Sequence, residues 1–207
     1  MDKLERRTVS IKELRVENKQ DNENVIRTIE GHAAVFNQWS ETLGSWFPFK
    51  ERVLPGAFTE TIQNDDIRAL WNHNPDYVLG RKKSGTLGIE EDDTGLKVVI
   101  TPPDTQWARD LTLSIERGDI DQMSFGFVVV SDRWGMEEGM DVRELLKVQL
   151  FDVSPVTFPA YPQTDVGVRS TMEAYDRYKE EQKRTAEEQN GWKMPLWKRK
   201  IGLLKRD

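Results

Sequence analysis

Asp121-Gln122-Met123-Ser124-Phe125-Gly126-Phe127-Val128-Val129-Val130 is the stretch on which the reading of the chain turns. Met123, Phe125, Phe127 and Val129 alternate, so a period of two fits and a strand with one apolar face is predicted. Ser124 then falls on the opposite face, two residues from Gly126, whose missing side chain is expected to let another backbone come close to the hydroxyl. A serine beside such a gap is a candidate nucleophile. It also fits the ordinary small polar residue found near the start of a strand.

The segment before it is the clearest helix in the sequence. Asp104 suits an N-cap, Trp107, Ala108, Leu111 and Ile115 follow at helical spacing, and Gly118 suits the stop. Farther back, residues 86–90 and 96–100 flank Glu91-Asp92-Asp93-Thr94-Gly95, a hairpin signature with glycine at the turn. Residues 8–16 are expected to form a first strand and 18–24 a loop. Residues 25–36 resume as a strand in which Gly31 marks a bend or bulge. The aromatic-rich residues 37–50 make a long connection, and a short helix should follow Pro55. Ile67, Ala69 and Trp71 form a strand face that ends at His73, with Pro75 stopping it. On the other side of the central stretch, residues 131–141 read as a loop with Gly135 and Gly139, and 145–154 as a strand.

Composition limits what this chain can be. Of 207 residues, 37% are hydrophobic, enough for a core, but no run approaches the roughly 20 apolar residues that cross a bilayer. Residues 1–7 lack the apolar core of a secretory signal. The absence of cysteine excludes disulfides, thiolate zinc sites and a cysteine nucleophile. A net charge of −6 argues against nucleic-acid binding by the whole chain. With only His32 and His73 present, a histidine-rich metal site is excluded, and any histidine base is one of these two. From residue 171 the composition becomes charged, with mixed signs at helical intervals, and the stretch 192–206 carries two tryptophans and six basic residues. The boundary is drawn near Ser170, giving a domain of residues 1–170 and a charged helical, basic tail of residues 171–207.

Two residues stand where a polar group is awkward. His73 is in register with the apolar Ile67, Ala69 and Trp71. Asp152 is in register with Leu146, Val148 and Leu150, where a carboxylate costs several kcal/mol unless a cation or an N–H donor meets it. With Ser124 they supply the three groups of a nucleophilic site: a hydroxyl that must lose its proton, an imidazole that can take it, and an acid that orients the imidazole. The same residues fit structural roles. A histidine at a strand end serves as a donor, and an aspartate near Pro155 can bond loop amides or an arginine. His32 reads as structural.

In chain order, the runs Phe49-Lys50-Glu51-Arg52-Val53-Leu54-Pro55-Gly56-Ala57-Phe58, Trp71-Asn72-His73, Ser84-Gly85-Thr86-Leu87, Met123-Ser124-Phe125-Gly126-Phe127 and Phe151-Asp152-Val153-Ser154-Pro155-Val156-Thr157-Phe158-Pro159-Ala160-Tyr161-Pro162 together resemble the prohead (capsid-maturation) proteases of tailed bacteriophages. The likeness covers about residues 8–169. It implies an α+β fold related to herpesvirus assemblin, a β-barrel of about seven strands surrounded by helices. It also implies a serine endopeptidase with Ser124 as nucleophile and His73 as general base. Assemblin's third member is a second histidine, whose place Asp152 takes here, with Asp141 and Glu144 as acidic alternatives. No oxyanion residue is assigned. The resemblance further implies action without metal or cofactor, in the host cytoplasm inside the assembling prohead, with no membrane or nucleic acid required. The substrates would be the scaffold, the N-terminal segment of the major capsid protein, and the enzyme itself. By analogy with assemblin a homodimer is expected. The alternative is a non-catalytic scaffold or capsid-assembly protein on the same fold.

Overall fold

The alternating stretch is part of a long strand, Gln122–Glu137, that turns at Glu138 and Gly139 and returns as Met140–Val156. Both turn residues have positive φ, 51° and 81°, the backbone of a tight two-residue hairpin that keeps the right-handed strand twist. Residues 131–141, expected to be a loop, are therefore the distal half of a ribbon. The computed structural model describes residues 4–10, 14–21, 24–44, 47–158 and 168–193. In order, its elements are β1 (Glu5–Ser10), β2 (Arg15–Asp21), β3 (Asn24–Val35), β4 (Phe49–Val53), α1 (Thr59–Asn64), β5 (Arg68–Trp71), β6 (Asn74–Arg81), β7 (Leu87–Glu91), β8 (Gly95–Ile100), α2 (Gln106–Glu116), β9 (Gln122–Glu137), β10 (Met140–Val156) and α3 (Val168–Lys193).

The class is α+β, as expected, but the strands do not close into one barrel of about seven. Among the described residues they form a six-stranded sheet, ordered β1-β9-β10-β5-β6 with β4 also on β10, and a four-stranded sheet, ordered β2-β3-β8-β7. β10 is long enough to serve two neighbours on one side. Asp141 to Leu145 pair in parallel with β4, and Asp152 and Val153 pair with β5. The first sheet turns Met123, Phe125 and Phe127 inward, the second contributes Ile29, Leu96, Val98 and Ile100, and Phe58, Leu111 and Ile115 from the helical segments join the same buried cluster. Phe58 meets Phe125 edge to face at 5.6 Å, a favoured aromatic geometry.

Several local expectations change. The stretch predicted as one strand over 8–16 is divided between β1, which ends at Ser10, and β2, which begins at Arg15; of the polar 18–24 stretch, residues 18–21 belong to β2 and pair with β3, which begins at Asn24. The irregularity expected at Gly31 falls between His32 and Ala34. Pro75 does not end a strand. It lies in β6, at the edge of its sheet, where a missing N–H costs no ladder bond. The helix cap before α2 is Thr105, and Asp104 instead holds Arg109. The 87–100 hairpin forms as read, with Asp92 Oδ1 accepting from the Thr94 and Gly95 amides, both at 2.9 Å.

The chain divides into two units, Met1–Val168 and Arg169–Asp207. In the 171–186 part of helix α3 most of the exposed side chains are charged, as the composition suggested. The basic residues from 194 onward lie outside the described residues. Among the described residues, no helix is long and apolar enough to cross a membrane.

A buried charge set ties the first strand to the ribbon. Arg143, 2% exposed, bonds Asp132 Oδ2 at 2.7 Å, Glu51 Oε2 at 3.1 Å and Glu5 Oε2 at 3.3 Å. Arg7 reaches the same glutamates, Glu51 at 2.8 Å and Glu5 at 2.6 Å. Burial works against both guanidinium charges, yet the surrounding carboxylates more than offset it and raise both pKa values. Removing one member of such a set leaves the others undercompensated. Arg143→Met should therefore lose about 3 kcal/mol of stability in urea unfolding, whereas Arg133→Ala, at an exposed side chain, should lose far less. At Glu144, burial opposes ionisation, but hydrogen bonds from Arg52 and Arg133 outweigh it and hold the carboxyl below its usual value. Its stabilisation is thus complete above the unfolded-state value and lost as pH falls through the lowered one. Glu144→Gln should flatten the acid limb of the stability–pH curve.

Candidate active site

The β9–β10 ladder assembles the site row by row. Residues directly opposite each other in an antiparallel pair share a face. Ser124 lies opposite Thr8 of β1 on one side and Ser154 of β10 on the other, and Gly126 lies opposite Asp152. The sequence pattern had put Asp152 on the apolar face with Val148 and Leu150. The register slips between Leu150 and Asp152, with Phe151 as the extra residue. That bulge switches faces. Leu150 remains opposite the core residue Phe127, while Asp152 emerges on the side of Ser124.

Gly126 makes room for the acid. A Cβ there would sit 2.4 Å from Asp152 Oδ1, too close to be accommodated without displacing the carboxylate. The gap beside the serine thus admits a carboxylate and not the backbone that was expected.

His73 is not a strand residue. It occupies the tip of the β5–β6 hairpin with Asn72, at φ 56° and 54°. Two successive non-glycine residues in the left-handed region are costly unless the surroundings hold them. Here the end of β10 and Thr157 just after it supply the hold. The Asn72 amide donates to Pro155 O at 3.0 Å, Asn72 Nδ2 donates to Thr157 Oγ1 at 3.1 Å, and the Thr157 amide donates back to Asn72 Oδ1 at 2.8 Å. The His73 amide donates to Ser154 Oγ at 3.3 Å. Edge-to-face contacts of Tyr77 with Trp71 and Trp107, at 5.5 and 5.2 Å, brace the hairpin.

The imidazole so placed joins the other two residues. His73 Nδ1 lies 2.6 Å from Asp152 Oδ2 and Nε2 lies 2.7 Å from Ser124 Oγ. An ionised carboxylate only accepts, so Nδ1 carries the proton and Nε2 is left to accept from the serine. Ser154 Oγ also donates to Asp152 Oδ2, at 2.7 Å. All three groups are buried, with Ser124 at 0% exposure. Ser124 Oγ has a second acceptor, the Arg7 carbonyl at 2.9 Å.

All three predicted site residues, His73, Ser124 and Asp152, meet in one place. The acidic alternatives do not. Glu144 is taken up by Arg52 and Arg133, and Asp141 lies in the part of β10 paired with β4. His32 bonds Asp92 at 2.9 Å, away from this cluster. Sequence reasoning missed Ser154, Asn72 and Thr157. All three stand in the quoted runs, and the spacing of Ser154 two residues after Asp152 was a signal that both share a face.

A hydroxyl, an imidazole and a carboxylate linked in this order are the parts of a serine hydrolase site, in which a base activates the hydroxyl and an acid orients the base. The chain belongs to the caudovirus prohead serine protease family, whose model matches residues 12–178. It is also similar to the prohead protease of Enterobacteria phage HK97, 27% identical over 152 residues, which cover 71% of this chain and 62% of that protein. The chain thus spans less than two thirds of the length of that relative. No solved structure matches it.

The fit at Gly126 can be read directly. Gly126→Ala should push the Asp152 carboxylate away and remove the far-downfield proton resonance expected of a His73 Nδ1–H held by a carboxylate. Asp152→Ala should remove it too. Ser154→Ala, which spares the His73–Asp152 bond, should keep it.

Proposed function

We propose that this chain is a serine endopeptidase that cuts scaffold and the N-terminal segment of the major capsid protein during phage prohead maturation. One observation carries the proposal: a single imidazole bridges Ser124 and Asp152 at 2.7 and 2.6 Å. Ser124 Oγ attacks the scissile carbonyl carbon as Nε2 of His73 takes its proton. Asp152 holds Nδ1–H and stabilises the imidazolium that forms. The leaving amine then receives the proton from Nε2, and water repeats the sequence on the acyl-enzyme. Family membership supports the peptidase class. The capsid substrates follow from that membership and from the name of the HK97 relative.

The finer reading is part of the same proposal. A herpesvirus-protease type of fold is supported by the order of the motifs and by a serine on a strand facing a histidine from an earlier hairpin turn. Residues 1–170 form the peptidase domain. Residues 171–207 dock the enzyme to scaffold or capsid and leave by self-cleavage, a role suggested by the change to a charged helix. The enzyme acts inside the prohead, and its working form is a homodimer by analogy with assemblin.

Co-expression with the capsid protein of the same phage provides the test. Ser124→Ala should fold normally and leave the capsid protein uncut, and Asp152→Asn should lower turnover about 10⁴-fold. Capsid cleavage that persists in Ser124→Ala overturns the nucleophile assignment.

A further inference from the structure

The proposed nucleophile cannot be reached by a peptide as the chain stands. Ser124 is fully buried, and the His73 and Asp152 side chains are 6% and 9% exposed. One covering element is β1. It pairs with β9 from Glu5↔Phe127 to Ser10↔Gln122 and is the edge strand of its sheet. It runs antiparallel past Ser124 and brings the Arg7 carbonyl to 2.9 Å from Oγ. An extended chain presenting one carbonyl to the nucleophile is the form a peptide substrate would take. The contact is made through the carbonyl oxygen, which accepts the hydroxyl proton, so this pose occupies the site without reacting.

β1 is also separable from the rest. The family match begins at residue 12, after β1 ends. What holds β1 includes polar contacts that another chain can reproduce: Arg7 with Glu51 at 2.8 Å, and Glu5 with Arg143 at 3.3 Å. Were β1 to leave, β9 would become an open edge able to accept a new strand.

We propose that the β9 edge beside Ser124 is the substrate track, and that β1 occupies it as an intramolecular stand-in that must leave before a peptide binds. The substrate adds antiparallel to β9 as an extended strand. At the position of Arg7, the residue giving the scissile carbonyl, its side chain lies over Phe127 toward Glu51, where the Arg7 guanidinium now sits 5.6 Å from the Phe127 ring. Loss of β1 removes Glu5 together with Arg7, leaving Glu51 and Asp132 facing Arg143 alone. The vacated slot is net acidic and takes a basic side chain. This inference rests on Ser124 being the nucleophile.

The chain contains no cysteine, so a lock can be engineered cleanly in the full chain. Positions 10 and 122 face each other in the ladder, and Ser10→Cys with Gln122→Cys brings two thiols within disulfide range. Labelling of Ser124 by a fluorophosphonate should be at least about 100-fold slower in the oxidised than in the reduced form, because the lock removes the open population. Arg7→Ala, which loosens β1 without a cross-link, should speed labelling about tenfold. Reduced enzyme should cleave a peptide with arginine before the scissile bond at least about tenfold faster than one with glutamate there. Equal labelling of the oxidised and reduced forms overturns β1 as the occupant, and equal cleavage of the two peptides overturns the acidic slot. A reduced enzyme that never labels overturns the nucleophile itself, and this inference with it.

Discussion

The site depends on keeping one buried carboxylate satisfied. Asp152 is 6% exposed, and an ionised carboxylate at that depth is tolerated only if hydrogen-bond donors surround it. Two side chains donate to Oδ2, His73 through Nδ1 and Ser154 through Oγ. Neither is placed by chance. Ser154 stands two residues on, on the same face of β10. His73 stands on a strained hairpin tip whose backbone is tied to the end of β10 through Asn72, Pro155 and Thr157. The last residues of β10 therefore provide the acid, one of its donors, and the clamp that delivers the other.

Two backbone devices make this possible, and each does a separate job. The extra residue at Phe151 turns the acid from the core face to the serine face, and Gly126 leaves the volume that the carboxylate then fills. The bulge without the glycine would bring Asp152 against a Cβ. The glycine without the bulge would leave a gap beside Ser124 with the acid pointing into the core. The bulge and the glycine both fall where the three groups meet, which is where sequence–structure consistency is expected to give way to function.

This explains what could and could not be read from sequence. The apolar alternation from Met123 to Val129, the hairpin over 87–100 and the body of α2 follow from local periodicity and turn chemistry, and all three appear as read. Ser124, His73 and Asp152 were legible as chemistry, because a polar residue in an apolar pattern stands out. Their geometry was not legible in the same way. A period of two assumes an unbroken strand, so it placed Asp152 on the wrong face and extended β5 through His73. Bulges and left-handed turns of non-glycine residues are set by partners distant in sequence, here Pro155 and Thr157 for Asn72. The distal half of the β9–β10 ribbon reads as a loop in the sequence because its glycines suggest turns. Only Gly139 serves one, while Gly135 sits within the strand, opposite Val142. The seven-strand barrel came from resemblance alone, which reports shared motifs more reliably than it reports how edges close.

A single proton links the serine's environment on its two sides. The Ser124 hydroxyl has one hydrogen and two acceptors within range, His73 Nε2 at 2.7 Å and Arg7 O at 2.9 Å. With Nδ1–H donated to Asp152, Nε2 is the ring nitrogen left to accept from the hydroxyl. A proton donated to Arg7 O is not shared with Nε2. The carbonyl that takes it belongs to the residue whose guanidinium sits in the buried charge set with Glu5, Glu51 and Arg143. Residue 7 thus connects the two polar assemblies of this sheet, its carbonyl facing the Ser124 hydroxyl and its side chain facing the ion pairs. The same strand thus carries one residue into both sets of contacts, through its carbonyl at Ser124 and its guanidinium at Glu51 and Glu5.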